Sequence, residues 1–179
     1  MIPKTEELIN FRLPRYEEFP VFELYIDQVI SFISESLSVF NKGDEPIITQ
    51  AMINNYVKNG VIPAPIKKKY NREHLAKLVV ICVSKRMLPL SYISEAIMLM
   101  SRFFEIEEGY NIFCDEVEYE IKSTVKPEKY PVRTIAEAGS NKVGAMRSLA
   151  SVVAKTLVFD KFIEQRRRLS AVAERLLKN

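Results

Sequence analysis

The stretch from Thr49 to Leu78 constrains the fold of this chain more than any other part. Its first ten residues carry apolar side chains at helical spacing, and Gly60 ends that pattern as a left-handed C-terminal cap would. Pro63 and Pro65 then exclude a helix, because proline removes a backbone donor and restricts the residue before it. The segment predicts two short edge strands around a tip at Lys67–Lys69, followed directly by another helix.

Apolar residues at helical spacing predict further helices on both sides of this stretch. One is expected from Phe22 to Phe40, where the turn sequence NKGDEP ends it. Thr49 is predicted to cap the next helix, and Asn71 the helix after the tip, whose middle is apolar all round like a buried central helix. Later helices are expected to begin near Pro89, at Ile106, and at Ser140 or Asn141. The fold class is therefore mainly α, with a small two-stranded β wing and additional C-terminal helices.

The chain is predicted to have two parts. Residues 1–104 form an N-terminal segment with a winged helix-turn-helix, and residues 105–179 form a helical C-terminal region for dimerisation or effector binding. The final apolar pattern, if unbroken from Asn141 to Lys178, would span ~57 Å. Because that exceeds the body of a small domain, the helix should bend back or pack against a partner, and a homodimer is expected.

The net charge of +3 is distributed unevenly along the sequence. Residues 1–48 carry −5, residues 58–86 carry +7, residues 91–120 carry −7 and residues 121–179 carry +8. A basic block between acidic ones favours a local anionic partner over general binding to polyanions, although solvated faces that happen to segregate would look the same.

Nothing in the sequence argues for an enzyme. The single histidine, His74, has no nearby residues that would orient it for catalysis, and no phosphate-binding glycine loop is present. The acidic residues between Glu105 and Glu120 have no histidine among them. Their spacing predicts that they lie on the solvent side of a helix. No metal or cofactor is therefore expected.

The sequence also favours a cytoplasmic protein without a membrane span. Its best apolar run, Leu78–Val83, is far shorter than the ~20 residues needed to cross a bilayer. The N-terminus lacks the pattern of a signal peptide. Cys82 and Cys114 have no spacing typical of a metal site or disulfide and are expected to be reduced thiols.

Double-stranded DNA is the partner that the Thr49–Leu78 stretch favours. A helix that enters the major groove presents short hydrogen-bonding side chains, and asparagine and glutamine can each make two bonds to an adenine edge. Lysines at the tip would contact phosphates without reading sequence, and tyrosine hydroxyls could donate to phosphate. The candidate DNA-contacting residues are Thr49, Gln50, Asn54, Asn55, Tyr56, Lys58, Lys67, Lys68, Lys69, Tyr70 and Arg72.

Each of these assignments has an alternative. Tyr56 would equally fit the edge of the core, and Lys67–Lys69 would also prevent edge strands from aggregating. The whole chain could be a protein-interaction module on the same scaffold, with the acidic helix 105–120 as its contact surface and Arg166–Arg168 as the complement. A small-molecule effector is left open by an aromatic cluster formed by Phe103, Phe104, Tyr110 and Phe113.

The segment NNYVKNGVIPAPIKKKYNREHLAKL resembles the winged helix-turn-helix of the MerR type. In that type a tyrosine lies four residues before a helix-ending glycine, and two apolar residues, a proline-bearing wing, an aromatic residue and an acidic-led helix follow. The matching residues here are Tyr56, Gly60, Val61, Ile62, Tyr70, Glu73, Leu75 and Leu78. The type usually has Arg-Tyr-Tyr where this chain has Asn54, Asn55 and Tyr56, which removes one expected phosphate contact.

A longer resemblance runs from LPRYEEFP (Leu13–Pro20) through YIDQVISFI (Tyr25–Ile33) to Arg86. It is to a bacterial family called domain of unknown function 1836. This resemblance implies a MerR-like helix-turn-helix and a cytoplasmic location. The C-terminal third lacks the long, heptad-regular dimer helix and the cysteine-rich metal sensor of MerR regulators.

Overall fold

The protein is mainly helical, with one small antiparallel sheet, as its sequence predicts. The structure, a computed structural model, describes residues 5–41, 43, 45–134 and 141–176. The described residues form the α-helices α1 (Thr5–Asn10), α2 (Ile26–Ser36), α3 (Gln50–Lys58), α4 (Arg72–Ser84), α5 (Leu90–Met100), α6 (Ile106–Val125) and α7 (Asn141–Leu176). The strands are β1 (Leu24–Tyr25) and β2 (Lys69–Tyr70), and short 3-10 turns cover Tyr16–Glu18 and Ser38–Phe40. None of the helices in these ranges is both long and apolar enough to cross a membrane.

The sheet pairs two segments that are far apart in sequence. Leu24 lies opposite Tyr70, and Tyr25 lies opposite Lys69. The predicted pair of strands around the lysine tip was therefore wrong in its partner, because β2 pairs with β1 and the incoming segment contributes only an isolated bridge at Ile66. The helix predicted from Phe22 was also wrong at its start. Phe22 is exposed and lies in a bend, and the strand β1 follows before α2 begins at Ile26.

Local signals in the sequence define the two ends of α3. The Thr49 hydroxyl accepts a hydrogen bond from Met52 N at 3.2 Å, which confirms the predicted cap. At the other end Gly60 has a φ of +68°, the left-handed conformation that glycine adopts without strain. Val61 N donates to Tyr56 O at 2.9 Å, so a free carbonyl at the helix end is satisfied.

Helix α4 is the central helix of the core, as predicted. Asn71 caps it by accepting a bond from His74 N at 3.2 Å. Its residues are buried on nearly every side, and it packs against α2, α5, α6 and α7. The residues of α4 buried in the core include Leu75, Leu78, Val79, Ile81, Cys82 and Val83.

Helix α7 is one continuous helix of 36 residues, about 54 Å long. It begins at Asn141, while the alternative start at Ser140 lies outside the described residues. Its first half packs along α6, and Lys161 is its last buried residue within the described side chains. Arg166–Arg168 are exposed, so this end of the helix extends away from the core.

The acidic residues of α6 correct one prediction from the sequence. They were expected on the solvent side, but Glu116, Glu118 and Glu120 are buried, at 4–8% exposure. Arg147 binds Glu116 with Nε–Oε2 at 3.0 Å and Nη2–Oε1 at 3.3 Å. Arg15 pairs with Glu118, which also accepts a bond from the backbone. Glu116 therefore joins α6 to α7, and Glu118 joins α6 to the N-terminal segment.

Candidate nucleic-acid interface

The outer face of α3 carries a stripe of polar side chains. Gln50, Asn54, Asn55 and Lys58 are exposed, at positions one or two helical turns apart. The opposite side of the helix is anchored by the buried Ile53 together with Tyr56. Because the inner side chains fix the rotation of the helix, the polar stripe has a defined direction toward solvent.

One member of this stripe, Asn55, already accepts hydrogen bonds from a neighbouring side chain. Asn59 Nδ2 donates to the side-chain Oδ1 of Asn55 at 2.9 Å and to its backbone O at 2.8 Å. This holds the Asn55 amide in one orientation. Thr49, at the start of the helix, uses its oxygen as the cap acceptor, but its hydroxyl proton remains a donor toward a ligand.

The tip between α3 and α4 is a two-residue turn made of lysines. Ile66 N donates to Lys69 O at 3.2 Å, and Lys69 N donates to Ile66 O at 2.9 Å. Between them Lys67 has a φ of 50° and Lys68 a φ of 63°. Two positive φ values inside a doubly bonded pair define a type I′ turn, where asparagine and glycine are the favoured residues.

The three lysines of the tip differ in their surroundings. Lys67 and Lys68 are exposed, whereas Lys69 is half-buried with its Nζ 5.6 Å from the ring centre of Tyr25. That distance is within the range of a cation–π contact. The turn therefore exposes Lys67 and Lys68 to solvent, whereas Lys69 contacts the sheet beneath them.

The two candidate tyrosines lie inside the protein. Tyr56 is 6% exposed and Tyr70 is 4% exposed. Burial raises the pKa of Tyr56 to about 12. Tyr70 packs edge to face against the His74 ring, with centroids 5.3 Å apart. Both side chains support the wing from below, which is the alternative that the sequence left open for Tyr56.

Arg72 faces the N-terminal segment. Its Nε donates to Phe19 O at 3.0 Å and its Nη2 to Glu17 O at 3.3 Å. These bonds attach the start of α4 to the residues that precede β1. The segment between α3 and α4 thus carries the lysine turn. Arg72, at the start of α4, instead connects this helix to the N-terminal segment.

Comparison with known protein families finds a match that covers this region. Residues 14–113 match the family described as Domain of unknown function (DUF1836). The chain belongs to this family. The matched range of DUF1836 includes β1, the helices α2–α5 and the first part of α6, whereas α7 lies outside it. No curated protein matches the chain, and no solved structure matches it.

Two cations that sequence reasoning missed hold the connection leading into α3 of this DUF1836 chain. The Lys85 ammonium donates to the backbone oxygen of Ile47. Arg86 Nη1 donates to Phe40 O at 2.9 Å, and its Nη2 lies 3.2 Å from Asp160 of α7. Because their partners are distant in sequence, the only available signal was two charges at the end of an apolar helix.

The histidine and the two cysteines of the chain are buried inside the protein. His74 is buried, and its Nδ1 accepts a bond from Asn71 N at 3.1 Å. Cys82 and Cys114 are buried and free, and burial raises the pKa of each thiol to about 12. Within the described ranges, no group of three or more His, Cys, Asp or Glu residues is placed to hold a metal ion.

Proposed function

We propose that this DUF1836 protein binds double-stranded DNA and regulates transcription. In this proposal α3 enters the major groove, and Lys67 and Lys68 contact the phosphate backbone beside it. The observation that carries the proposal is the type I′ turn, in which two lysines occupy strained backbone positions and both side chains are exposed. A cytoplasmic location belongs to the same proposal.

Backbone strain at the turn supports a functional role for its lysines. A left-handed conformation costs a residue with a side chain roughly 1–2 kcal/mol. Residues held in such conformations cluster at binding sites, where the surrounding structure enforces them. Asparagine and glycine would relieve the strain at Lys67 and Lys68, so a requirement for positive charge at the tip explains why lysines stand there.

The polar stripe of α3 supports base contacts. Gln50 and Asn54 are exposed near the start and the middle of the helix, where a recognition helix meets base edges. Their amide groups can each donate and accept, which suits the N6 and N7 atoms of adenine. Lys58, exposed at the end of the same helix, would contact a phosphate in this proposal.

The order of elements supports the resemblance to the MerR type. α2 packs against α3, the lysine turn follows, and β2 returns to pair with β1 immediately before α2. Asn54 stands where the MerR type usually has arginine, so this chain has one cation fewer on the helix. The phosphate contacts in the proposal are therefore Lys58, Lys67 and Lys68.

We also propose that the protein acts as a homodimer through its C-terminal helices. Phe159, Phe162 and Leu169 of α7 are 40–61% exposed, and they lie in or next to the part of the helix that extends beyond the core. An apolar stripe on a protruding helix is suited to pack against a second copy.

With three phosphate contacts per protomer, the slope of log K against log salt should be about −3 for a bound monomer and about −5 for a dimer.

The alternative of a protein-interaction module is less favoured by the surroundings of α6. Its contact surface was expected on the acidic side of α6, with Arg166–Arg168 as the complement. Glu116 and Glu118 instead form buried pairs with Arg147 and Arg15. Neither carboxylate is thus exposed for an incoming partner.

Selection from a pool of random-sequence duplexes, followed by fluorescence anisotropy, tests the proposal. We expect an enriched sequence, and we expect Asn54→Ala to reduce discrimination between that sequence and a scrambled one. The control variant is Lys155→Ala, because Lys155 is exposed on α7 and its replacement should not affect DNA binding. Failure to enrich any sequence would contradict sequence-specific binding.

A further inference from the structure

A cavity of about 90 Å³ lies where α4, α5, α6 and α7 meet. It is separate from α3 and the lysine turn. Its walls are formed almost entirely by carbon atoms of aliphatic and aromatic side chains. Representative residues are Val80 of α4, Ala96 and Ile97 of α5, Phe113 of α6, and Met146 of α7.

The polar groups near the cavity are engaged elsewhere or lie at its edge. Lys77 Nζ is 2.6 Å from Glu73, an ion pair along α4. The Tyr110 hydroxyl donates to Pro14 O at 2.7 Å, outside the lining residues, so the ring and not the hydroxyl contributes to the wall. Ser101 and Glu105 are exposed and mark the mouth. The interior therefore offers a ligand neither a charge nor a free donor.

Water is a poor occupant of such a space. A single water needs about 10–15 Å³ and two to four polar partners, and enclosed apolar cavities stay dry and bind small hydrocarbons. The volume here is several times that needed for one water but has no polar partners to hold a cluster. The chemistry of the lining thus selects a molecule with an uncharged hydrocarbon surface.

Helix α5 ends beside this mouth, directly before Ser101, and can widen the entrance to the cavity. Ile93 is the one fully buried residue of α5, all of which the structure describes. Tyr92 and Met98 of the same helix are more than half exposed. A wall held by so few buried contacts can open locally at low cost, whereas α4 and α6 are buried along most of their length.

We propose that this cavity is a binding site for a small, uncharged, apolar molecule no larger than a single-ring hydrocarbon. The site is independent of the proposed DNA contact. A protein that fails to bind DNA can still bind such a molecule, so the two proposals fail separately.

Toluene and benzoate form a matched pair of probes, since they share a ring and differ in charge. Titration of the ¹⁵N-labelled full chain should give saturable shifts with toluene for amides in α4, α5 and α6. Benzoate at the same concentrations should give none. Absence of saturable shifts with toluene, or equal binding of benzoate, would overturn the proposal.

Two variants test the location of the site. Ala96→Leu should fill the cavity and weaken toluene binding at least tenfold, while Glu95→Leu adds the same side chain on the exposed side of α5 and should leave binding unchanged. Met146→Ala should enlarge the cavity and bind naphthalene, which we expect the natural protein to exclude. Circular dichroism verifies the fold of each variant. Full toluene affinity in folded Ala96→Leu protein would place the binding elsewhere and overturn the assignment. If Ala96→Leu does not fold, Met146→Ala tests the location instead. A folded Met146→Ala protein that does not bind naphthalene would overturn the assignment.

Discussion

Ile66 and Lys69 exchange both of their backbone hydrogen bonds, at 3.2 and 2.9 Å. Only two residues remain between them, and both have positive φ values. This pairing fixes the direction of the tip, because β2 continues from Lys69 into the sheet with β1. The two lysines of the turn are thus held in a rigid and unfavourable backbone, with their side chains in solvent.

Replacing these lysines by the residues that the turn prefers should stabilise the fold and weaken DNA binding. The double change Lys67→Asn and Lys68→Gly should raise the free energy of unfolding by about 1–2 kcal/mol, because it relieves left-handed strain. It should also weaken DNA binding, because it removes two cations. Urea denaturation and fluorescence anisotropy measure the two effects.

The matched control removes the charge and keeps the strain. The double change Lys67→Ala and Lys68→Ala should weaken DNA binding to the same extent but give no gain in stability. If the Asn-Gly variant kept full DNA affinity, the lysines would have no role in binding. If it were no more stable than the alanine variant, the turn would not be strained.

Breaking the buried pair between Arg147 and Glu116 should be costly. Both residues are 6% exposed, and the bidentate contact joins α7 to α6. Arg147→Met leaves the Glu116 carboxylate buried with Arg133 as its remaining cation, at 2.8 Å, and should lower the free energy of unfolding by about 1.5–3 kcal/mol. Urea denaturation measures this loss.

A double variant distinguishes an unpaired buried charge from lost packing. Arg147→Met combined with Glu116→Met removes both charges and should recover at least half of the loss. Equal destabilisation of the single and double variants would show that packing of the arginine side chain, and not the charge left behind, causes the effect.

The stability of the fold should depend on the titration of His74. Burial lowers the pKa of this histidine in the folded state below its ordinary value of 6.5. The unfolded chain therefore binds more protons, and stability should fall as the pH drops below about 6.5, by at most about 1.4 kcal/mol per pH unit. Thermal and urea unfolding at pH 5.5 and pH 8 measure the change.

His74→Gln provides the comparison for this pH effect. A glutamine at this position can accept the Asn71 N–H bond that the imidazole now accepts, but it does not titrate. The variant should keep the helix cap and lose most of the pH dependence between pH 5.5 and 7. A variant with an unchanged pH profile would assign the effect to other groups.

The elements with local signals could be predicted from the sequence. Thr49 and Asn71 cap their helices with short polar side chains, and Gly60 ends α3 with positive φ, because each signal acts within a few residues. The partner of β2 could not be predicted in this way. Leu24 pairs with Tyr70 across two helices, and no local pattern encodes that register.

The sequence also did not predict which charged side chains are buried. The periodicity of α6 identified its apolar face but not that Arg15 and Arg147 cover its other sides. The same limit applies to the candidate interface. Arg72 and Tyr70 belong to a basic and aromatic pattern in the sequence, but bonds to the N-terminal segment and packing against His74 turn them inward.

Salt dependence of DNA binding tests the central claim most directly. Association constants for the selected duplex should be measured from about 50 to 200 mM salt, for the natural protein and for the variant with alanine at positions 67 and 68. We predict that the variant has a slope of log K against log salt shallower by about 2 per bound protomer. Identical slopes for the two proteins, or no binding of any duplex by the natural protein, would contradict it.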